Sequence, residues 1–256
     1  MSDINSVPNF GRGLFSISAY ETGWVAVIPS PTDSTKPAFP QSLDWIRKNQ
    51  LSDGSWGAEY PDSAYNKVVS TASALICLKK WYLESDRKLI ESGVEAYNRL
   101  MEKLEDPVLM TIGFELIVPA LVDRANSLGL DLENKMIDKL RKIRQQKLIQ
   151  FKKLKKIYDK KGLTESAWLT ILEGMEPIFE KQELKDLVDN RGIVGNCYSA
   201  TAFALIIDPT LNQCFDAIEK EVERNGGGIS AYSPLEVFAM SWSLGKCLIC
   251  TRSVYF

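Results

Sequence analysis

Apolar positions along this chain recur at spacings of three and four far more often than in strict alternation, so helices are the elements it predicts. Pro40 to Asn49 carries Leu43, Trp45 and Ile46 and runs into the turn residues Ser52-Asp53-Gly54. Ser70 to Leu83 follows the 3.6-residue period through Ala72, Leu75, Ile76, Lys79 and Tyr82. Asp86 to Leu104 repeats it with Leu89, Val94, Tyr97 and Leu100-Met101. Thr111 to Leu128 is apolar around most of its circumference and contains Pro119, which predicts a buried, kinked helix closed by Gly129. Glu165 to Gly174, Glu180 to Val188, Tyr198 to Ile207 and Leu211 to Arg224 complete the series. Gly226-Gly227-Gly228 lacks the Lys-Ser/Thr of a phosphate loop and follows a helix, so it reads as a connector. The expected fold class is all-α, an α/α-barrel.

Leu132 to Lys161 differs in character. Leu140, Ile143, Leu148, Phe151, Leu154 and Tyr158 mark one face, and eleven Lys or Arg fall between Lys139 and Lys161. A long helix with a solvated basic face accounts for this pattern. The alternative is that some of these cations face a diphosphate. Nucleic-acid binding is disfavoured, because no stacking aromatics accompany the charges.

The whole-chain balance of 31 basic and 33 acidic residues offers no global field for nucleic acid or acidic lipid. No apolar stretch is long enough to span a bilayer, and the start MSDINSVPNF has no signal-peptide pattern, so a cytoplasmic location is expected. The chain contains no histidine, which excludes Ser-His-Asp and Cys-His nucleophiles, HExxH zinc sites and imidazole acid–base catalysis within it. Cys77, Cys197, Cys214, Cys247 and Cys250 are an odd number in a chain too large to need stapling. The Cys247–Cys250 pair has no second ligand pair, so the thiols read as reduced and buried, and no metal site is expected.

Several ordered motifs carry more information than the composition. Ser18-Ala19-Tyr20-Glu21-Thr22-Gly23-Trp24-Val25-Ala26 resembles the S-A-Y-D-T-A-W-V-A opening of class II diterpene cyclases. Phe39-Pro40, Leu43, Trp45-Ile46 and Asn49-Gln50-Leu51-Ser52-Asp53-Gly54-Ser55-Trp56-Gly57 resemble that family's F-P-x-x-L-x-W-I-x-x-x-Q-x-x-D-G-S-W-G. Thr111 to Leu121, Arg144 to Leu148, Leu172-Glu173-Gly174, Tyr198 to Ala202 and Gly227 to Phe238 continue the likeness, and Trp242-Ser243-Leu244 follows in register. The likeness runs from about residue 14 to 244, and copalyl and halimadienyl diphosphate synthases of the bacterial sort are the members it suggests.

This resemblance implies a terpenoid-forming isomerase in which two α-barrel domains, β and γ, enclose geranylgeranyl diphosphate or a similar prenyl diphosphate. The β domain of that family carries D-x-D-D, whose middle Asp protonates the terminal alkene. No two Asp residues are adjacent here, so both D-x-D-D and the metal-binding D-D-x-x-D are absent. Plant members place a His of a deprotonating base in γ, and this chain has none. The resemblance therefore implies residues 1–28 as an N-terminal segment of a β domain, 29–235 as a γ-like barrel and 236–256 as a return into β. Residues up to about Ile28 and beyond about Glu236 are then expected to pack poorly, with Trp24, Phe238 and Trp242 as the residues that report it.

No catalytic residue is assigned within the chain. Glu59, Tyr60, Lys67 and Lys147 are the candidate wall or diphosphate contacts, with Glu115 a weaker one that reads as a buried acceptor. Trp45, Gln50, Asp53, Gly54 and Trp56 form the QW element and read as staples rather than catalysts. Mg2+ enters only through the substrate diphosphate, since no recognisable motif binds it. Two functional readings stand: a cyclase component that needs a β domain from a separate chain, or a non-catalytic remnant that binds a prenyl diphosphate. A helical interaction protein is a third, weakened by the ordered motifs.

Overall fold

The computed structural model describes residues 17–58, 63–104, 113–157, 166–176 and 178–231. Its centre is α1, Ala19–Ala26, all eight residues of which are buried. The Ser18 hydroxyl accepts the Tyr20 N–H at 3.2 Å and caps its first turn. A helix of this length does not hold itself in water, so it depends on what surrounds it. α2 (Pro40–Lys48), which begins with proline at its first turn, packs against it, as does α3 (Ala64–Lys80). Gly23 lies where α1 meets α3. A Cβ there would stand 2.4 Å from Ser73 Oγ and 2.9 Å from the Ser73 carbonyl carbon.

The remaining helices build outward in chain order. α4 (Arg87–Glu102) and α5 (Phe114–Ser127) pack on α3, and α6 (Lys135–Lys155) packs on α5. A 3-10 segment, Ala167–Gly174, touches α5. α7 (Lys181–Leu187) and α8 (Tyr198–Ile207) follow, and α8 packs on both α1 and the 3-10 segment. α9 (Asn212–Arg224) covers α8. No β-strand forms among the described residues. An isolated bridge between Ile17 and Ser230, with Ser18 N–H donating to the Ile229 carbonyl at 2.8 Å, brings the first and last described residues together. The result is the all-α helical barrel that the periodicity and the resemblance imply.

Tyr198–Ile207 has the limits expected of it, and Gly129, at φ +70°, stands just past the end of α5. Three features differ. α3 begins at Ala64, capped by Ser63, six residues before the periodic stretch starts. Where a helix is expected from Glu165 to Gly174, Ala167–Gly174 is 3-10 rather than α, with Ile171 at a non-helical φ of −125°. α1 shows no amphipathic stripe, because every face of it is buried. Poor packing is corrected for the described part of the segment up to Ile28: Ala19 to Ile28 are buried throughout, Trp24 among them, because α2, α3 and α8 enclose them, and 1–16 lie outside the described residues. Phe238, Trp242 and the whole of 236–256 lie outside the described residues.

The QW element is a staple between helices. Gln50 donates from Nε2 to the carbonyls of Gly54 and Leu89, both at 2.9 Å, and lies 3.0 Å from the Ser92 hydroxyl. Asp53 accepts the Ser55 N–H and hydroxyl at 2.9 and 2.6 Å, while Gly54 takes φ +85°. Trp56 is fully buried and donates its indole N–H to the Ile46 carbonyl at 2.8 Å. Trp45 is turned to another neighbour: its Nε1 is 3.0 Å from where a Cβ on Gly228 would stand. The staple is thus Gln50 and Trp56 with the turn between them, and Trp45 braces the glycine connector. Trp56→Ala should lower the unfolding free energy by about 3–5 kcal/mol in chemical denaturation; a loss under about 1 kcal/mol would remove the staple role.

Candidate functional site

The N-terminal end of α1 faces a cavity of about 390 Å³. Val69 of α3, Phe114 and Ile117 of α5, and Ile171 supply its apolar wall. Phe114 is held edge-on against Tyr65, with ring centres 4.9 Å apart. Against this wall stand Tyr20, Glu21, Glu173, Cys197 and Ser199. Tyr20 donates to Glu173 Oε1 at 2.6 Å, and Ser199 donates to the same oxygen at 2.8 Å. Cys197 Sγ lies 3.0 Å from the Ser199 hydroxyl. The other carboxylate oxygen of Glu173 and Oε2 of Glu21 are buried with no partner.

Two carboxyl groups removed from water in one cavity cannot both ionise cheaply. Burial is the leading cause that pushes Glu21 up to about 8, and the charge of Glu173 adds to it against a hydrogen bond from Ser18. Burial likewise raises Glu173, only partly offset by the hydrogen bonds from Tyr20 and Ser199. The Tyr20 hydroxyl and Cys197 thiol are raised too, chiefly by burial and then by the neighbouring carboxyls. The Glu21 carboxyl is therefore protonated near neutral pH, and burial disfavours the charged form of Glu173 beside it. A neutral Glu21 can border an apolar or cationic guest without a fixed charge competing for it.

The residues expected to form the site are placed elsewhere. Lys67 is buried and pairs with Asp53 at 3.7 Å, so it braces the QW turn. Lys147 forms an ion pair with the buried Glu115, linking α6 to α5. Glu59 and Tyr60 lie outside the described residues. Arg144 donates to the carbonyls of Gly174 and Glu176 at 3.0 and 2.9 Å. Lys155 donates to Ile178 O at 3.0 Å and to Glu183 at 2.5 Å. Much of the basic helix is thus spent on structural contacts. Among the described residues no group of three or more Cys, Asp or Glu could hold a metal ion. Cys77, Cys197 and Cys214 are buried and free, as expected of them; Cys247 and Cys250 lie outside the described residues.

Sequence reasoning passed over Glu21 and Glu173, although both fall inside recognised motifs. The available signal was a glutamate flanked by apolar and small residues, in Ala19-Tyr20-Glu21-Thr22-Gly23-Trp24 and Ile171-Leu172-Glu173-Gly174. Only the fold shows that these two segments meet.

Comparisons with known proteins place this helical fold among those of terpene cyclases. No protein-family model matches the chain. It is 33% identical over 243 residues to copalyl diphosphate synthase 1, chloroplastic, of Isodon rubescens, and 34% identical over 240 to the bifunctional levopimaradiene synthase, chloroplastic, of Ginkgo biloba. Each match takes in 92% of this chain but only 29% and 27% of the relative. Its fold superposes on ent-copalyl diphosphate synthase from Arabidopsis thaliana, solved with an aza-geranylgeranyl thiolodiphosphate analogue, with a TM-score of 0.76 at 29% identity. That match covers 88% of this chain and 32% of the other; abietadiene synthase from Abies grandis gives 0.74 at 27% identity, covering 86% and 29%. The chain is class II diterpene cyclase-like and spans about 30% of the length of such enzymes. These relatives are named as chloroplastic, which gives the cytoplasmic expectation no support, and no described helix is long and apolar enough to cross a membrane.

The two buried carboxyls impose a pH dependence on stability. Both folded-state pKa values lie above those of the unfolded chain, and for Glu21 the native state holds the extra proton between about 4.5 and 8. Stability is therefore greatest at the acidic end of that window and falls as pH rises through it. Glu21 alone contributes about 1.4 kcal/mol per pH unit inside the window. Denaturation of wild type and Glu21→Gln at pH 5, 6, 7 and 8 should show the difference between them growing with pH in favour of Gln; parallel curves would remove the neutral-carboxyl assignment.

Proposed function

We propose that this chain forms the γ-domain wall of a class II terpene cyclase acting on geranylgeranyl diphosphate or a similar prenyl diphosphate. One observation carries the reading: the cavity beside α1 combines an apolar and aromatic wall with a buried Glu21 carboxyl kept neutral. A developing carbocation is stabilised by ring faces such as Phe114 and Tyr20 and by oriented dipoles. A fixed carboxylate there would instead trap the cation early.

The same feature rules Glu21 out as the initiating acid. Protonating an isolated alkene demands a carboxyl that gives up its proton readily, whereas Glu21, raised to about 8, holds its proton more tightly than an ordinary carboxyl. With no D-x-D-D in the chain, the acid comes from a β domain, in a separate chain or in the remainder of a longer one. Mg2+ accompanies the substrate diphosphate. Lys67 and Lys147 reach that diphosphate only by exchanging Asp53 and Glu115 for it, which leaves Glu59 and Tyr60, just past the QW turn, as the other proposed contacts.

Incubated alone with geranylgeranyl diphosphate and Mg2+, the chain should yield no bicyclic diphosphate after phosphatase treatment and mass spectrometry. Adding a separately expressed β domain that carries D-x-D-D should restore cyclisation. Product from the chain alone would overturn the placing of the acid elsewhere. No product with any β domain that demonstrably binds it would leave the chain a non-catalytic prenyl-diphosphate-binding module.

A further inference from the structure

The opposite, C-terminal end of α1 opens on a second and larger cavity, of about 600 Å³, with a different chemistry. Lys80 of α3, Arg124 of α5 and Arg144 of α6 line it together with Asp123 and Glu176, three cations against two carboxylates. The cations are not equivalent. Arg144 spends donors on the Gly174 and Glu176 carbonyls and lies 4.0 Å from Asp123. Asp123 is itself held by Arg141, at 2.6 Å. Lys80 gives one N–H to the Val27 carbonyl at 2.7 Å and lies 4.7 Å above the Trp81 ring. Arg124 is stacked 4.7 Å over Trp24, and its guanidinium has no hydrogen-bond acceptor or ion pair among the described residues. In the adjoining cleft, Trp24 Nε1 is buried and also without an acceptor.

This arrangement costs free energy as it stands. Lys80 and Arg124 are both partly withdrawn from water, and each has its charged form disfavoured by burial. The charge of Arg124 further disfavours that of Lys80, so the two cations feel one another. Glu176 attracts Arg124 at a distance but does not pair with it, and it is exposed. A guanidinium held over an indole, with its fork unoccupied and a second cation beside it, is the donor set for a bidentate oxyanion.

The geometry points to this cavity as a binding site for a small phosphate-bearing anion, gripped by the Arg124 fork and the free N–H groups of Lys80. Val27, Ile76 and Ala120 give the guest an apolar flank. The site is separate from the carboxyl-lined cavity at the other end of α1, and it does not depend on the chain's taking part in cyclisation.

Inorganic pyrophosphate is the probe, and titration calorimetry on the whole chain is the readout, with no cyclisation step involved. Wild type should bind it with an affinity that falls as salt is raised. Arg124→Gln should weaken binding about tenfold or more with unchanged helical circular dichroism, and Arg124→Lys should fall between the two, having charge without the fork. Glu176→Gln, which removes the carboxylate whose charge acts on Arg124, should tighten binding. Absence of heat with wild type at about 10 mM pyrophosphate, or wild-type affinity in Arg124→Gln, would overturn the site. If Arg124→Gln does not fold, Glu176→Gln decides: tighter binding supports the site and unchanged binding overturns it.

Discussion

Enclosure of one short helix is the constraint on which the rest of this structure depends. α1 has too few turns to be stable alone and presents no polar face to water, so it exists only because α2, α3 and α8 close around it. That closure demands a glycine at the α1–α3 crossing, where Gly23 lies against Ser73. It brings Ile17 and Ser18 against Ile229 and Ser230, residues more than two hundred positions away. It also sets the two cavities at the two ends of one rigid element, so that each inherits its position from the same packing.

Buried polar groups differ in how completely they are satisfied, and Glu115, which ties α5 to α6, also keeps a buried Oε2 without a donor. Asp86 receives both forks of Arg47, at 2.9 and 3.0 Å, and the Leu83 N–H at 3.0 Å, and it behaves as a structural anchor. Glu221 accepts from Arg224, Asn225 and Ser230 and ties α9 to the closing segment. Glu21 and Glu173, by contrast, each keep a buried oxygen with no donor, and Arg124 keeps a guanidinium with no acceptor. A protein tolerates such deficits where a guest or neighbour supplies the missing partner. The deficits at Glu21, Glu173 and Arg124 adjoin cavities.

Most of the helices were legible because their burial is one-sided: α2, α4 and α9 each present an apolar stripe to the core and charge to water. α1 was legible only as a motif, since a fully buried helix carries no period to detect. The basic helix was legible as a charge run but not as a set of partners. Which of its cations face water, carbonyls or carboxylates depends on α5 and the 3-10 segment, both distant in sequence. Lys67 looked available for a ligand, yet the fold folds it under the QW turn onto Asp53.

By itself the sequence determined the all-α class, the staple at Gln50 and Trp56, the exclusion of histidine chemistry and the likeness to class II diterpene cyclases, because each rests on local period, local turn chemistry or ordered residue identity. The tertiary structure alone decided that Tyr20, Glu21, Glu173 and Ser199 share one cavity and that Lys80, Arg124 and Arg144 share another. These groups lie far apart along the chain, and their protonation and pairing follow from desolvation and neighbouring charge, which exist only once the helices have closed around α1.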